Sequence, residues 1–333
     1  MQEGKDRVNI DIESNGGKKD FLLEYEANRV EEDTTYLVVD GLRFISSEPE
    51  EPDEEQLSYI IDTMSGIINT LKTGTREEIE AAIDVPSFAK FYLLNEYLKT
   101  MDFDSSSVFF YYKDGVLYAG PPWDYDMSTG NTNLALNTPR ANNTGYTDGI
   151  MQSKYNLYRN LCDKTWFIDE VKRVYEEHYD YIENISADGG LLDSLSAEYA
   201  DVFGRNYASG VWSVSRWWYN YQKKPLATYA ENLAFLKNWC TERNAWLTDY
   251  YELFVYEYLR GDANGDGSVN LMDATDIQRK LVFLDVNDDG LFTTRATVTD
   301  AELSTTDVTA VQRYLAKMDN LYDIDTKVKT KLR

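Results

Sequence analysis

Three stretches of this sequence repeat oxygen-bearing side chains at spacings suited to metal or proton chemistry. In "GPPWDYDMSTG", Asp124 and Asp126 stand two residues apart, and upstream Asp102 and Asp104 do the same in "KTMDFDSS". Paired carboxylates can hold a divalent cation or move a proton, and they can equally form an acidic turn with no chemistry. The tail is more specific. "DANGDGSVNLMD" places Asp262, Asn264, Asp266, Asn270 and Asp273 at loop positions one, three, five, nine and twelve. Ser268 offers its carbonyl at position seven, and Gly267 stands at the sharp turn. A calcium ion takes about six to eight oxygens on a flexible loop, which this spacing supplies just before a helix.

A second loop, "DVNDDGLFTTRATVTDAELSTTD", keeps Asp285, Asn287, Asp289 and Gly290 but has Ala296 where the closing carboxylate belongs. Asp307 supplies that carboxylate only if the residues between form an insertion. The segments that follow the two loops, "NLMDATDIQRKL" and "STTDVTAVQRYL", align without gaps, so the tail is a duplicated loop and helix.

Composition removes several other chemistries. A net charge of -25 without any Lys/Arg cluster argues against nucleic acid and anionic membrane surfaces as partners. Cys162 and Cys240 have neither zinc nor redox spacing, and His178, the single histidine, sits in an acidic helical segment without a Ser or Cys partner signature. Acid-base work must therefore rest on carboxylates, lysines or tyrosines. No apolar run is long enough for a membrane span, and the first residues lack a signal-peptide core. The expectation is either a cytoplasmic protein or a chain whose natural beginning is missing.

The elements that must position these residues are legible in the periodicity. "FLLEYEAN" and "TYLVVDGLRFIS" read as short strands. Leu57, Ile60, Ile61, Met64, Ile67, Ile68 and Leu71 recur at helical spacing behind a capping box of Asp53 and Gln56, with Gly74 as the stop. "PSFAKFYLLNEYLKTMD" reads as a helix opened by Pro86 that delivers Asp102 and Asp104 to its exit. "SVFFYYKDGVLYAG" reads as a hairpin turning at Asp114-Gly115 that leads into Asp124 and Asp126. A loop rich in Asn, Thr and Gly follows over 131–153, and most of 154–255 carries helical periodicity. With 333 residues, 43% hydrophobic and 14% aromatic, the chain can fill more than one core. The expected class is α+β: a mostly helical module with β-hairpins over 1–255, then a small all-α domain with paired calcium loops over 259–322.

Residues 86–131, through "NEYLKTMDFDSSSVFFYYKDGVLYAGPPWDYDMSTGN", resemble the CotH family of spore-coat-type atypical protein kinases, with weaker likeness at Arg216-Trp217, Arg243 and Trp246 and coverage of roughly 20–250. The resemblance implies an ATP- and magnesium-dependent kinase. It implies that Asp102 or Asp104 is the catalytic-loop carboxylate and that Asp124, with Asp126, holds magnesium, while Asn95 and Glu96 support the site or cap the helix. Family members carry an upstream nucleotide lobe. Here only "GGKKDFLLEYE" precedes the helical part, leaving Lys18 and Lys19 for phosphate contact without a Gly-rich loop, so a truncated and inactive module is one expectation.

The tail resembles a type I dockerin, the module that fixes enzymes to cohesin-bearing scaffoldins in cellulosomes. That resemblance implies calcium, a cohesin partner and an extracellular setting. It places the partner contacts at Leu271, Met272, Gln278 and Arg279 and, in the second copy, at Thr305, Thr306, Gln312 and Arg313. Three functions compete: a docked kinase acting on exported proteins, a non-catalytic adaptor, and a polysaccharide-degrading glycoside hydrolase with paired carboxylates in an aromatic-lined cleft.

Overall fold

A computed structural model of the chain describes residues 20–27, 34–131, 143–151, 156–208, 226, 228–299 and 302–331. The chain divides into two compact units, Met1–Tyr251 and Glu252–Arg333.

The first unit is built on a five-stranded antiparallel sheet in the order β2-β3-β1-β4-β5. Its strands are β1 (Phe21–Tyr25), β2 (Tyr36–Val39), β3 (Leu42–Glu48), β4 (Val108–Lys113) and β5 (Val116–Ala119). The β4-β5 hairpin turns at Asp114 and Gly115, both with positive φ (52° and 94°), the geometry that matches the strand twist. β1 is central and pairs with β4 from Phe21↔Tyr112 to Tyr25↔Val108. This pairing places the end of β1 beside the start of β4, close to the exit of the helix that carries Asp102.

Helices cover this sheet. α1 (Glu54–Thr73) begins at the Asp53/Gln56 capping box and buries Ile60, Met64, Ile67, Ile68 and Leu71, one stripe at helical spacing. α2 (Arg76–Ala82) is a short link, and α3 (Val85–Leu98) opens with proline in its first turn and is buried on nearly every side. Beyond it lie α4 (Thr165–Ser186), α5 (Leu191–Glu198), α6 (Ala200–Ala208) and α7 (Tyr229–Tyr250). An aromatic cluster joins α3 to the sheet and to α4: Phe88 stacks 5.7 Å from Phe110, and Tyr158 lies 5.4 Å from Phe88, 5.2 Å from Phe103 and 6.2 Å from Phe167. The Tyr158 hydroxyl, fully buried, donates to Phe88 O at 2.9 Å, so the cluster holds no unpaired phenol at its centre.

The second unit holds α8 (Leu271–Leu281), α9 (Phe292–Ala296) and α10 (Thr305–Leu315) around a small core of Ala274, Ile277, Phe292, Val298, Val308 and Val311. Two strands border the stretch 259–322, expected to be all-α. β6 (Val255–Leu259) pairs antiparallel with β7 (Lys327–Lys331), so the two ends of the unit are tied together. β7 alternates exposed lysines with Val328 and Thr330, whereas β6 is mostly apolar, with Glu257 as its one charge, bonded by Lys327 at 2.8 Å.

Candidate functional site

α3 ends at Lys99, whose φ of 49° turns the chain into a 3-10 turn, Met101–Asp104. Phe103, 2% exposed, plugs that turn into the aromatic cluster and leaves Asp102 and Asp104 half-buried on either side. Two backbone hydrogen bonds then bring up the second acidic pair. Met101 N donates to Met127 O at 3.0 Å, and Thr129 N donates to Leu98 O at 2.8 Å. Asp124 and Asp126 are exposed on this strap, and Asp124 takes a left-handed φ of 58°, which Asp tolerates better than most residues.

The charges on the strap act on Asp102. Burial, then the charges of Asp124 and Asp126, and lastly Glu26, hold the Asp102 carboxyl above the ordinary carboxylate range, against a hydrogen bond from Ser105 Oγ at 3.4 Å. Asp104 acts elsewhere: its charge adds to the burial that raises Tyr25 and that pushes the Cys162 thiol up to about 12. Of the two candidates at the helix exit, Asp102 is the one drawn into the same field as Asp124 and Asp126.

The strap is fixed from below. Gly130 has a φ of +81°, and a Cβ there would stand 2.7 Å from Trp239 and 2.9 Å from Phe235, both on α7. Gly130 N donates to Thr144 Oγ1 and Trp239 Nε1 to Thr144 O, each at 2.9 Å. Two buried cations clamp the next few residues: Lys99 Nζ donates to Tyr146 O and Asp148 O (2.9 and 2.6 Å), and Arg243 Nη1 to Thr147 O and Gly149 O (2.9 and 2.8 Å). Arg243 Nη2 meets Glu96 Oε1 at 2.8 Å, and the same oxygen accepts from Met151 N at 2.9 Å. Asn95, also buried, donates to Phe91 O at 2.8 Å and bonds the Tyr125 hydroxyl. The side chains of Asn95 and Glu96 thus hold the strap and its following loop, while their carbonyls accept the Thr100 and Lys99 amides at the helix end.

Among the described residues, no three Asp, Glu, His or Cys side chains are grouped so as to hold a metal ion unaided. Magnesium keeps several waters and commonly takes only one or two protein carboxylates beside substrate phosphates. Exposed Asp124 and Asp126 next to an acid of raised pKa fit that donor set. Lys18 and Lys19 lie outside the described residues, as do Arg216 and Trp217.

In the tail, the first loop winds around its own carboxylates. Asp262 Oδ1 accepts from Gly265 N and Asp266 N (2.9 and 3.1 Å), and Oδ2 accepts from Gly267 N at 2.9 Å. Asp266 takes Ser268 N and Oγ, which lower its pKa. Asn270 caps α8, and Asp273, in its first turn, receives Asn270 N and Asn264 N (2.8 and 3.2 Å). Ser304 and Asp307 repeat this cap on α10. The duplication extends to the helix ends: Arg279 donates to Asp285 O, and Arg313 to the Asp319 carboxylate, each six residues on. Leu271, Met272, Gln278, Arg279, Thr305, Thr306, Gln312 and Arg313 are all exposed.

Sequence reasoning passed over Glu26, Lys99 and Arg295. Glu26 and Lys99, 1% and 0% exposed, sit in polar-looking context with no periodic signal. Arg295 offered one clue, a cation placed beside the alanine that replaces a ligand.

An antiparallel sheet covered by helices, with acids meeting at a helix exit and a strap after a hairpin, defines this unit as an α+β domain. The sequence model of the family described as CotH kinase protein matches residues 40–247, and the chain belongs to that family. The chain matches no curated protein.

Proposed function

We propose that the first unit is a magnesium- and ATP-dependent phosphoryl-transfer domain acting on a hydroxyl of an exported protein. The observation that carries this reading is the pair of backbone bonds, Met101 N to Met127 O and Thr129 N to Leu98 O, that ties the strap of Asp124 and Asp126 to the turn of Asp102, where their charges act on the Asp102 carboxyl and a divalent cation would offset them. Asp124 and Asp126 would hold the ion. When bound, magnesium supplies charge neutralisation at the transferring phosphate. Asp102, with its raised pKa and its turn anchored by Phe103, orients the attacking hydroxyl and accepts its proton. Lys18 and Lys19 are the residues offered to the nucleotide phosphates. The test is transfer of labelled phosphate from ATP, with Asp124→Ala and Asp102→Asn inactive.

For the tail we propose a dockerin-type module that holds calcium in its first loop and docks on a cohesin of a scaffoldin, outside the cell. The duplicated Asn270/Asp273 and Ser304/Asp307 caps, with exposed Leu271 (67%) and Met272 (56%) ahead of buried Asp273, support this. Calorimetry with a cohesin should give calcium-dependent binding that Asp262→Ala with Asp273→Ala removes. Undiminished binding by that variant would reject the docking reading.

A further inference from the structure

The carboxylates of the two tail loops have different partners. In the first, Asp262, Asp266 and Asp273 accept hydrogen bonds from backbone amides and from Ser268 and Asn270, and among the described residues no Lys or Arg pairs with them. Asp273 has two donors and therefore spare lone pairs. In the second loop, Asp307 is already full. It is 0% exposed and accepts from Val298 N, Thr299 N, Thr299 Oγ1, Ser304 N and Ser304 Oγ, all within 3.1 Å. A carboxylate offers about four lone-pair sites, so none remains for an ion.

Asp289 is taken as well. Arg295 Nη1 and Nη2 grip its two oxygens at 2.9 Å each, a bidentate fork. The same guanidinium, 5% exposed, donates from Nε to Asp262 O at 3.0 Å and from Nη2 to Ala263 O at 3.1 Å, at the opening of the first loop. Gly265 has a φ of +77°, and a Cβ there would lie 2.9 Å from Arg295 Nη2. Lys280 pairs with neighbouring Asp288 at 2.7 Å.

We infer that Arg295 is a built-in cation that replaces the metal of the second loop and, by holding the Asp262 and Ala263 carbonyls, sets the geometry of the first, so that the tail takes one calcium ion. The inference rests on the calcium reading of the first loop. It departs from the paired loops of the sequence expectation, in which Asp285, Asn287, Asp289 and Asp307 form a second site.

Calcium bound per full chain, counted by equilibrium dialysis with radioactive calcium, tests this. Asp262→Ala with Asp273→Ala should lose one equivalent. Asp285→Asn with Asn287→Ala, which leaves Arg295 and Asp289 untouched, should lose none. Arg295→Gln should keep the fold by circular dichroism yet weaken the first-loop ion at least tenfold. A loss of one equivalent in Asp285→Asn/Asn287→Ala, or wild-type affinity in Arg295→Gln, would overturn the inference. No loss in Asp262→Ala/Asp273→Ala would instead reject the calcium reading itself. Should Arg295→Gln not fold, the count in Asp285→Asn/Asn287→Ala still decides.

Discussion

Glu96 and Arg243 stand 147 positions apart in the chain, yet their side chains meet at 2.8 Å with 1% and 0% of their surface exposed. Each also binds backbone of the segment 147–151, so the pair ties α3, α7 and that segment into one body behind the acidic strap. Breaking a buried pair from one side leaves a charge without compensation, at about 3–5 kcal/mol. Arg243→Met should therefore cost that much in denaturant unfolding of the first unit. Arg243→Met with Glu96→Leu should cost less than the sum of the two single changes.

The strap itself has a weak point at Gly130. Gly130→Ala forces a Cβ against Trp239 and Phe235 in a left-handed backbone, a change expected to cost about 1–3 kcal/mol from overpacking alone. Thermal unfolding should show the loss, and magnesium should stabilise the variant less than the wild-type chain because Asp124 and Asp126 ride on the displaced strap.

Asp102 gives a dependence on pH. Its folded pKa lies above the unfolded value of about 3.9, so the folded state holds the proton more tightly. Ionisation opposes folding at neutral pH, and the penalty fades as pH falls through the folded value and is gone below the unfolded one. In metal-free buffer Asp102→Asn should raise the Tm at pH 7.5, with the advantage shrinking on acidification through that window. Lower stability of Asp102→Asn at pH 7.5 would contradict a carboxyl raised by burial and by the charges of the strap.

Calcium should stabilise the tail by mass action. At a calcium concentration about 100 times the dissociation constant the gain is about 2.7 kcal/mol. Chelation should lower the unfolding temperature of the second unit in the wild-type chain and leave Asp262→Ala/Asp273→Ala unchanged.

Much of this frame was legible in the residues. Asp53 with Gln56, Pro86 and Asp114-Gly115 each carry a local rule, and the structure places a helix start, another helix start and a hairpin turn at those points. What escaped was long-range. Nothing near Lys99 says that its ammonium will be buried against two carbonyls of a loop some 47 residues on, and nothing near Glu96 names Arg243. Trp123 is 37% exposed, its ring edge-on to Phe109, a partner that the turn sequence does not name. Strand β7 was hidden by its lysines, and β6, though mostly apolar, pairs with a segment 70 residues on that no local signal names. Asp102 and Asp124 shared only a spacing. The tie between their two segments depends on the bonds between Met101 and Met127 and between Leu98 and Thr129, which no motif encodes.

The most direct test of the account is labelled phosphate transfer from ATP in magnesium, to the protein itself or to an added exported protein, by the wild-type chain and by Asp124→Ala. Removing one transition-state charge contact commonly costs about 100- to 1,000-fold in rate. The account predicts incorporation by the wild-type chain and a loss of at least that size in Asp124→Ala, while equal labelling by the two proteins would contradict it.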